Sequence, residues 1–149
     1  MRSPQNKSKR RGASAVEFAL VAPVFLAILF GMIEFGRAIM VGQLVTNAAR
    51  EGARLAVLNG SSNSAVKAAV LDILQQTLSV SAADAGGISV TITVAPAVGH
   101  SGAGDEVANA LPRDVCIVEA RVPHELVKYN RLVFLANSDF VAKSSMRHE

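Results

Sequence analysis

Apolar residues fill positions 13–33 almost without a break, then thin to a three-to-four periodicity, and past residue 87 alternate with polar residues in twos. The first stretch, Ala13 to Ile33, reads ASAVEFALVAPVFLAILFGMI; its only charge is Glu17, and it is bounded by Arg10-Arg11 in front and Glu34 behind. At the helical rise these 21 residues span about 31 Å, the thickness of one bilayer core. A small soluble domain rarely encloses such a run on all sides, so the pattern predicts a transmembrane helix. Beyond Glu34, Val41, Leu44, Val45, Ala48, Leu55 and Ala56 recur at helical spacing, with Gln43, Asn47, Arg50 and Arg54 along the other face. One helix is therefore predicted from about Ser14 to Leu58, near 67 Å long, with Asn59-Gly60 as its stop.

Ser61 to Ser64 reads as a polar linker, and Val66, Ala69, Val70, Ile73, Leu74, Thr77 and Leu78 mark a second, amphipathic helix. Ile88, Val90, Ile92 and Val94 alternate with Ser89, Thr91 and Thr93 in strict period two, the pattern of a half-buried strand. Val115 to Val122 and Phe140 to Arg147 predict two more, the last with Phe140, Ala142 and Met146 on one face and Lys143 and Arg147 on the other. His124 to Asn137 reads as a loop or short helix. The predicted class is α+β: a long N-terminal transmembrane helix continuing into a small domain, where a second helix packs on an antiparallel sheet of about three strands. The corresponding division is a basic leader at 1–12, a membrane helix at 13–34, its continuation at 35–59 and an α+β domain at 60–149.

Composition narrows what such a chain can do. Of 149 residues, 15 are basic and 12 acidic, but Arg2, Lys7, Lys9, Arg10 and Arg11 all precede residue 17, with no Asp or Glu among them. The remainder carries ten basic against twelve acidic residues, a net of −2, and the aromatics beyond residue 16 are Tyr129 and six Phe. Nucleic acid, which requires a basic patch and stacking aromatics, is not the expected partner. The same asymmetry predicts an N-terminus in the cytoplasm and a C-terminal domain outside it. A cleaved secretory signal fits poorly, because the run is long for such a core and is followed by Glu-Phe-Gly-Arg instead of a small-x-small site. Arg10-Arg11 is followed by Gly-Ala-Ser, unlike a twin-arginine signal. A single cysteine, Cys116, excludes a disulfide framework and multi-cysteine metal sites.

Within the span, Pro23 removes one backbone hydrogen bond and predicts a bend near Ala19 to Pro23. Ala15, Ala19, Pro23, Ala27 and Gly31 recur every four residues and form a smooth ridge, along which a second helix can approach closely in lipid. Glu17 is the costly residue, since an ionised carboxylate at the edge of hydrocarbon needs a partner or a route to the headgroups. If the chain were cut after Gly12, Ala13 would carry a new α-amino cation, and a neighbouring subunit's terminus could neutralise Glu17.

Arg10-Arg11-Gly12, four residues, Glu17-Phe18 and an apolar helix together resemble the prepilin-peptidase site of type IV pilin-related proteins. RRGASAVEFALVAPVFLAILFGMIEFGR is similar to the TadE-like pseudopilins of the tight-adherence (Flp) pilus system, supported by Asn47-Ala-Ala-Arg50-Glu-Gly-Ala-Arg54 and by Ser144-Ser-Met-Arg-His-Glu149. The resemblance implies cleavage between Gly12 and Ala13 by a membrane prepilin peptidase. Glu17 and Phe18 would then set register between subunits, with contacts along Ala15, Ala19, Pro23, Ala27 and Gly31. It further implies a single-pass inner-membrane protein whose partners are the membrane, the prepilin peptidase, other pilin or pseudopilin subunits and the pilus assembly platform.

Catalytic and metal chemistry are not expected. In Gly99-His-Ser-Gly-Ala-Gly104 an alanine stands at 103, where G-x-S-x-G requires glycine, and the chain is short for that hydrolase fold. His100, His124 and His148 lack metal-ligand spacing. Cys116, inside a predicted strand, reads as a small buried thiol. No enzyme activity and no cofactor are expected; the alternative function is a membrane-tethered extracytoplasmic binding or sensor domain whose signal anchor stays uncleaved.

Overall fold

A computed structural model describes residues 7–80, 84–101, 104–127 and 138–148. Helix α1 runs from Lys7 to Ala56, and Pro23 lies inside it without ending it. The helix starts well before Ser14, because the leader's Lys and Arg residues are good helix formers and nothing between Lys7 and the span breaks the turn. The chain divides into two compact units, Met1–Arg37 and Ala38–Glu149.

In the second unit, α1 closes two residues earlier than Asn59-Gly60 suggests. The Leu55 carbonyl accepts from the Leu58 amide at 3.1 Å and from the Ser61 hydroxyl at 2.5 Å, and Gly60 takes a left-handed φ of 84°. These bonds satisfy carbonyl groups that the helix end leaves open. Helix α2, Asn63–Leu78, begins inside the expected linker: Ser62 is its N-cap, its hydroxyl accepting from the Ala65 amide at 3.3 Å. Val66, Val70 and Leu74 form its buried stripe. Thr77, expected on that stripe, is exposed, and its hydroxyl donates to the Ile73 carbonyl.

Strands β1 (Ser89–Ala95), β2 (Val115–Pro123) and β3 (Asp139–Arg147) form an antiparallel sheet in that order. Val118 pairs with Ile92 on one side and Ser144 on the other; Ala120 pairs with Val90 and Ala142. This register puts Ile92, Val94, Cys116, Val118, Ala120, Val122 and Ala142 on one buried face. Thr91, Thr93, Arg121, Lys143 and Arg147 lie exposed on the other. Between β2 and β3 a short helix α3, His124–Val127, is seen, with the His124 ring 5.7 Å from that of Phe140; the rest of the stretch expected as loop or short helix, 128–137, lies outside the described residues.

The core joins this face to both helices. Val41, Val45, Ala48, Ala49, Ala53 and Ala56 of α1 are buried with Val66, Val70 and Leu74 of α2, while Leu44 and Leu55 are only partly covered. Small residues dominate the α1 face because the helix comes close to its neighbours. A Cβ on Gly52 would overlap the Val70 side chain and stand 3.2 Å from Val118 Cγ1. The architecture is α+β, as the sequence pattern predicts.

Candidate functional site

The first unit is dominated by an uncovered apolar helix. Val16, Phe18, Leu20 and Met32 are all about 70% exposed, and Val21, Val24, Phe25, Ile28 and Ile33 more than half exposed. A continuous apolar surface of this extent is untenable in water and expected in hydrocarbon. This helix is long and apolar enough to cross a membrane, consistent with a single-pass membrane protein.

The residues singled out from sequence all lie on this segment, and Gly12, Ala13, Val16, Glu17, Leu20 and Val21 line one shallow open groove along it. Ala13 and Glu17 are one turn apart, about 40° around the axis at the helical step of about 100°. The small-residue ridge is placed differently. Steps of four residues wind about 40° each, so Glu17 stands about 200° around from Ala15 and close in azimuth only to Gly31. Phe18 is about 100° further round than Glu17. One straight neighbour cannot touch Glu17 and the whole ridge at once, whereas a helix crossing at an angle can follow the i, i+4 row. Ala15, Ala19 and Ala27 are exposed, and a Cβ added at Gly12 or Gly31 would meet nothing within 4 Å. The groove and the ridge are both open.

A second polar constellation, invisible in the sequence, lies beside the start of β2 in the α+β unit. Asp114, immediately before β2, is only 1% exposed. Its Oδ1 accepts from the Ala97 amide at 2.8 Å and lies 2.7 Å from His100 Nδ1; its Oδ2 accepts from the Leu111 amide at 2.8 Å. These bonds, with the Ala97 amide foremost, then the Leu111 amide and His100, hold the carboxyl down at about 2. The Asp114 carbonyl accepts from the His148 amide at 2.8 Å, and the Arg113 amide donates to the His148 carbonyl at 2.7 Å, fixing Arg113 in the left-handed region at φ 80°. His100 is thus tied to a buried carboxylate instead of standing alone in a glycine-rich surface loop. Both carboxylate oxygens are already occupied by donors, so the arrangement braces loops. Cys116, two residues on, is fully buried; burial, and after it the Asp114 charge, push its thiol up and keep it protonated. Among the described residues no group of three or more His, Cys, Asp or Glu could hold a metal ion.

A third cluster ties α2 to the loop before β2. Asn63 Nδ2 donates to the Asp105 carbonyl at 2.5 Å and to Glu106 Oε2 at 3.1 Å, while its Oδ1 accepts from the Val107 amide at 3.1 Å. On α1, Arg54 pairs with Glu51 at 2.8 Å on the solvent face.

One part of the chain matches a known family. Residues 12–54 match the family model of the TadE-like proteins. The TadE-like stretch starts at Gly12, takes in Glu17 and the ridge, and ends at Arg54, so that it also includes Ala48, Ala49 and Ala53 of the face of α1 that packs into the core. No curated protein and no solved structure matches the chain.

Proposed function

We propose that this protein is a pseudopilin, a minor subunit of a tight-adherence pilus assembly system. In this reading it is anchored in the inner membrane with its N-terminus in the cytoplasm and assembles through its N-terminal helix. The observation that carries the reading is the coincidence of the TadE-like match with an exposed apolar helix bearing Gly12, Ala13 and Glu17 along one groove. A prepilin peptidase would cut between Gly12 and Ala13. That bond lies within α1, so the chain must unwind there first, and Gly12 lowers the helix's resistance by about 1 kcal/mol relative to alanine.

Once cut, the Ala13 ammonium of one subunit can meet Glu17 of the next, which removes the penalty of a lone carboxylate in lipid and fixes the axial offset between helices. The ridge from Ala15 to Gly31 serves a different neighbour, as expected of a subunit surrounded by copies or related pilins. The role is structural and not enzymatic.

The test is the N-terminal residue and intact mass of the protein from native membranes, with and without the cell's prepilin peptidase. A peptidase-dependent start at Ala13 is expected. A leader that remains intact when the peptidase is present would overturn the processed-pseudopilin reading.

A further inference from the structure

Among the described residues β3 pairs with β2 alone, which leaves its outer side as an edge of the sheet. Hydrogen bonds just beyond its two ends fix the phase of its backbone. At one end the Ser138 carbonyl accepts from the His124 amide at 3.3 Å; at the other the His148 amide donates to the Asp114 carbonyl at 2.8 Å. Residues 138 and 148 thus both direct backbone groups toward β2 and its flanks, and because direction alternates along an antiparallel strand, 140, 142, 144 and 146 do the same. The N–H and C=O groups of Asp139, Val141, Lys143, Ser145 and Arg147 therefore point outward along the edge.

An edge of this kind accepts another strand through main-chain bonds, and the side chains on its two faces select which strand. The open face presents Val141, Lys143, Ser145 and Arg147, all exposed. Asp139 is already ion-paired with Arg121, whereas among the described residues neither Lys143 nor Arg147 has an ion-pair partner. On the core face, Phe140 and Met146 are only partly covered, although Val122 and Cys116, their partners on β2, are fully buried. The apolar layer stops one strand short. A strand that completes it needs apolar residues toward the core and acidic residues beside Lys143 and Arg147. A second copy of β3, laid antiparallel along its whole length, would set Lys143 against Lys143 and is disfavoured.

We propose that the outer edge of β3 binds an extended segment of a partner protein in which acidic and apolar residues alternate, joining the sheet with its carboxylates beside Lys143 and Arg147. Only the sheet is required for this binding, so it is independent of the fate of the leader.

The experiment uses the full chain in detergent micelles and a fluorescein-labelled peptide of alternating valine and glutamate, as long as β3, with binding read by anisotropy. Wild type should bind it saturably, and the same peptide with lysine in place of glutamate should bind at least about tenfold more weakly, given the worth of cross-strand charge pairs. Lys143→Glu with Arg147→Glu should reverse that preference, and Arg50→Glu, on an exposed position of α1, should leave it in place. The backbone separates strand addition from charge attraction. Peptides N-methylated on their glutamates or on their valines carry the methyls on opposite edges, so one of the two should lose binding and the other keep it. Ser145→Pro removes one outward N–H at an edge position where proline is tolerated, and should weaken binding about tenfold while the sheet signal in circular dichroism is retained. Absence of saturable binding to wild type, equal effects of the two methylated peptides, or binding untouched by Ser145→Pro overturns the proposal. A peptide-independent dimer that Ser145→Pro abolishes also overturns it and assigns the edge to a second copy of the chain.

Discussion

The Val70 side chain of α2 occupies the space that a Cβ on Gly52 of α1 would need. The closest approach of the two helices is therefore set by the absence of a side chain at residue 52, and Val118 of β2 closes the same contact from the sheet. Ala48, Ala49, Ala53 and Ala56, all fully buried, keep that face of α1 shallow.

Gly52→Ala tests this contact. Alanine gains helix propensity of about 1 kcal/mol, but overpacking a close contact costs about 1–3 kcal/mol, and the Val70 overlap makes the steric effect dominant. A net loss of about 1–2 kcal/mol in thermal unfolding is expected. Gly42→Ala, where the added Cβ meets nothing within 4 Å, should be neutral or stabilising by up to about 1 kcal/mol. Equal behaviour of the two variants would contradict the packing assigned to Gly52.

Asp114 predicts an acid limb in stability. Its folded-state value of about 2 lies below the ordinary 3.8, so the carboxylate's bonds stabilise the fold fully above about 4. That contribution should fade as pH falls from about 4 to 2, where the folded carboxyl takes up its proton. Asp114→Asn should lower the melting temperature at pH 7 and flatten the decline between pH 4 and 2. An unchanged acid limb in this variant would show that other groups control it.

Asn63 holds the start of α2 to residues 105–107 through both ends of its amide. Asn63→Ala should destabilise the unit by about 1–2 kcal/mol and speed hydrogen exchange at the Val107 amide, which loses its acceptor. Exchange at Val107 equal to wild type would show that the tie does not persist in solution.

Glu17→Gln keeps the shape of the groove and removes the charge. The protein should stay in the membrane at normal abundance while pilus formation is lost. Normal piliation in this variant would rule out a register role for Glu17 and favour a helix that serves only as a tether.

Much of the fold was legible because its signals are local. A 21-residue stretch whose only charge is Glu17, the period-two alternation of Ile88 to Val94 and the stripe Val66, Val70, Leu74 each follow from the repeat of one element against one environment. That Gly12, Ala13 and Glu17 share one helix within two turns followed in the same way. Periodicity could not supply what depends on distance between elements. Nothing near residue 52 announces that Val70 and Val118 converge on it, and the helical turn at 7–11 has no apolar periodicity to reveal it. Asp114 reads as an ordinary polar residue between a turn and a strand until the fold brings the amides of Ala97 and Leu111 and the ring of His100 to its two oxygens. The sequence by itself determined the elements and the environment each requires, because both are set by neighbours a few residues away. Only the tertiary structure decided which small residue is a contact and which carboxylate is a brace, because those roles depend on groups as far apart along the chain as Gly52 and Val118, or Asp114 and Ala97.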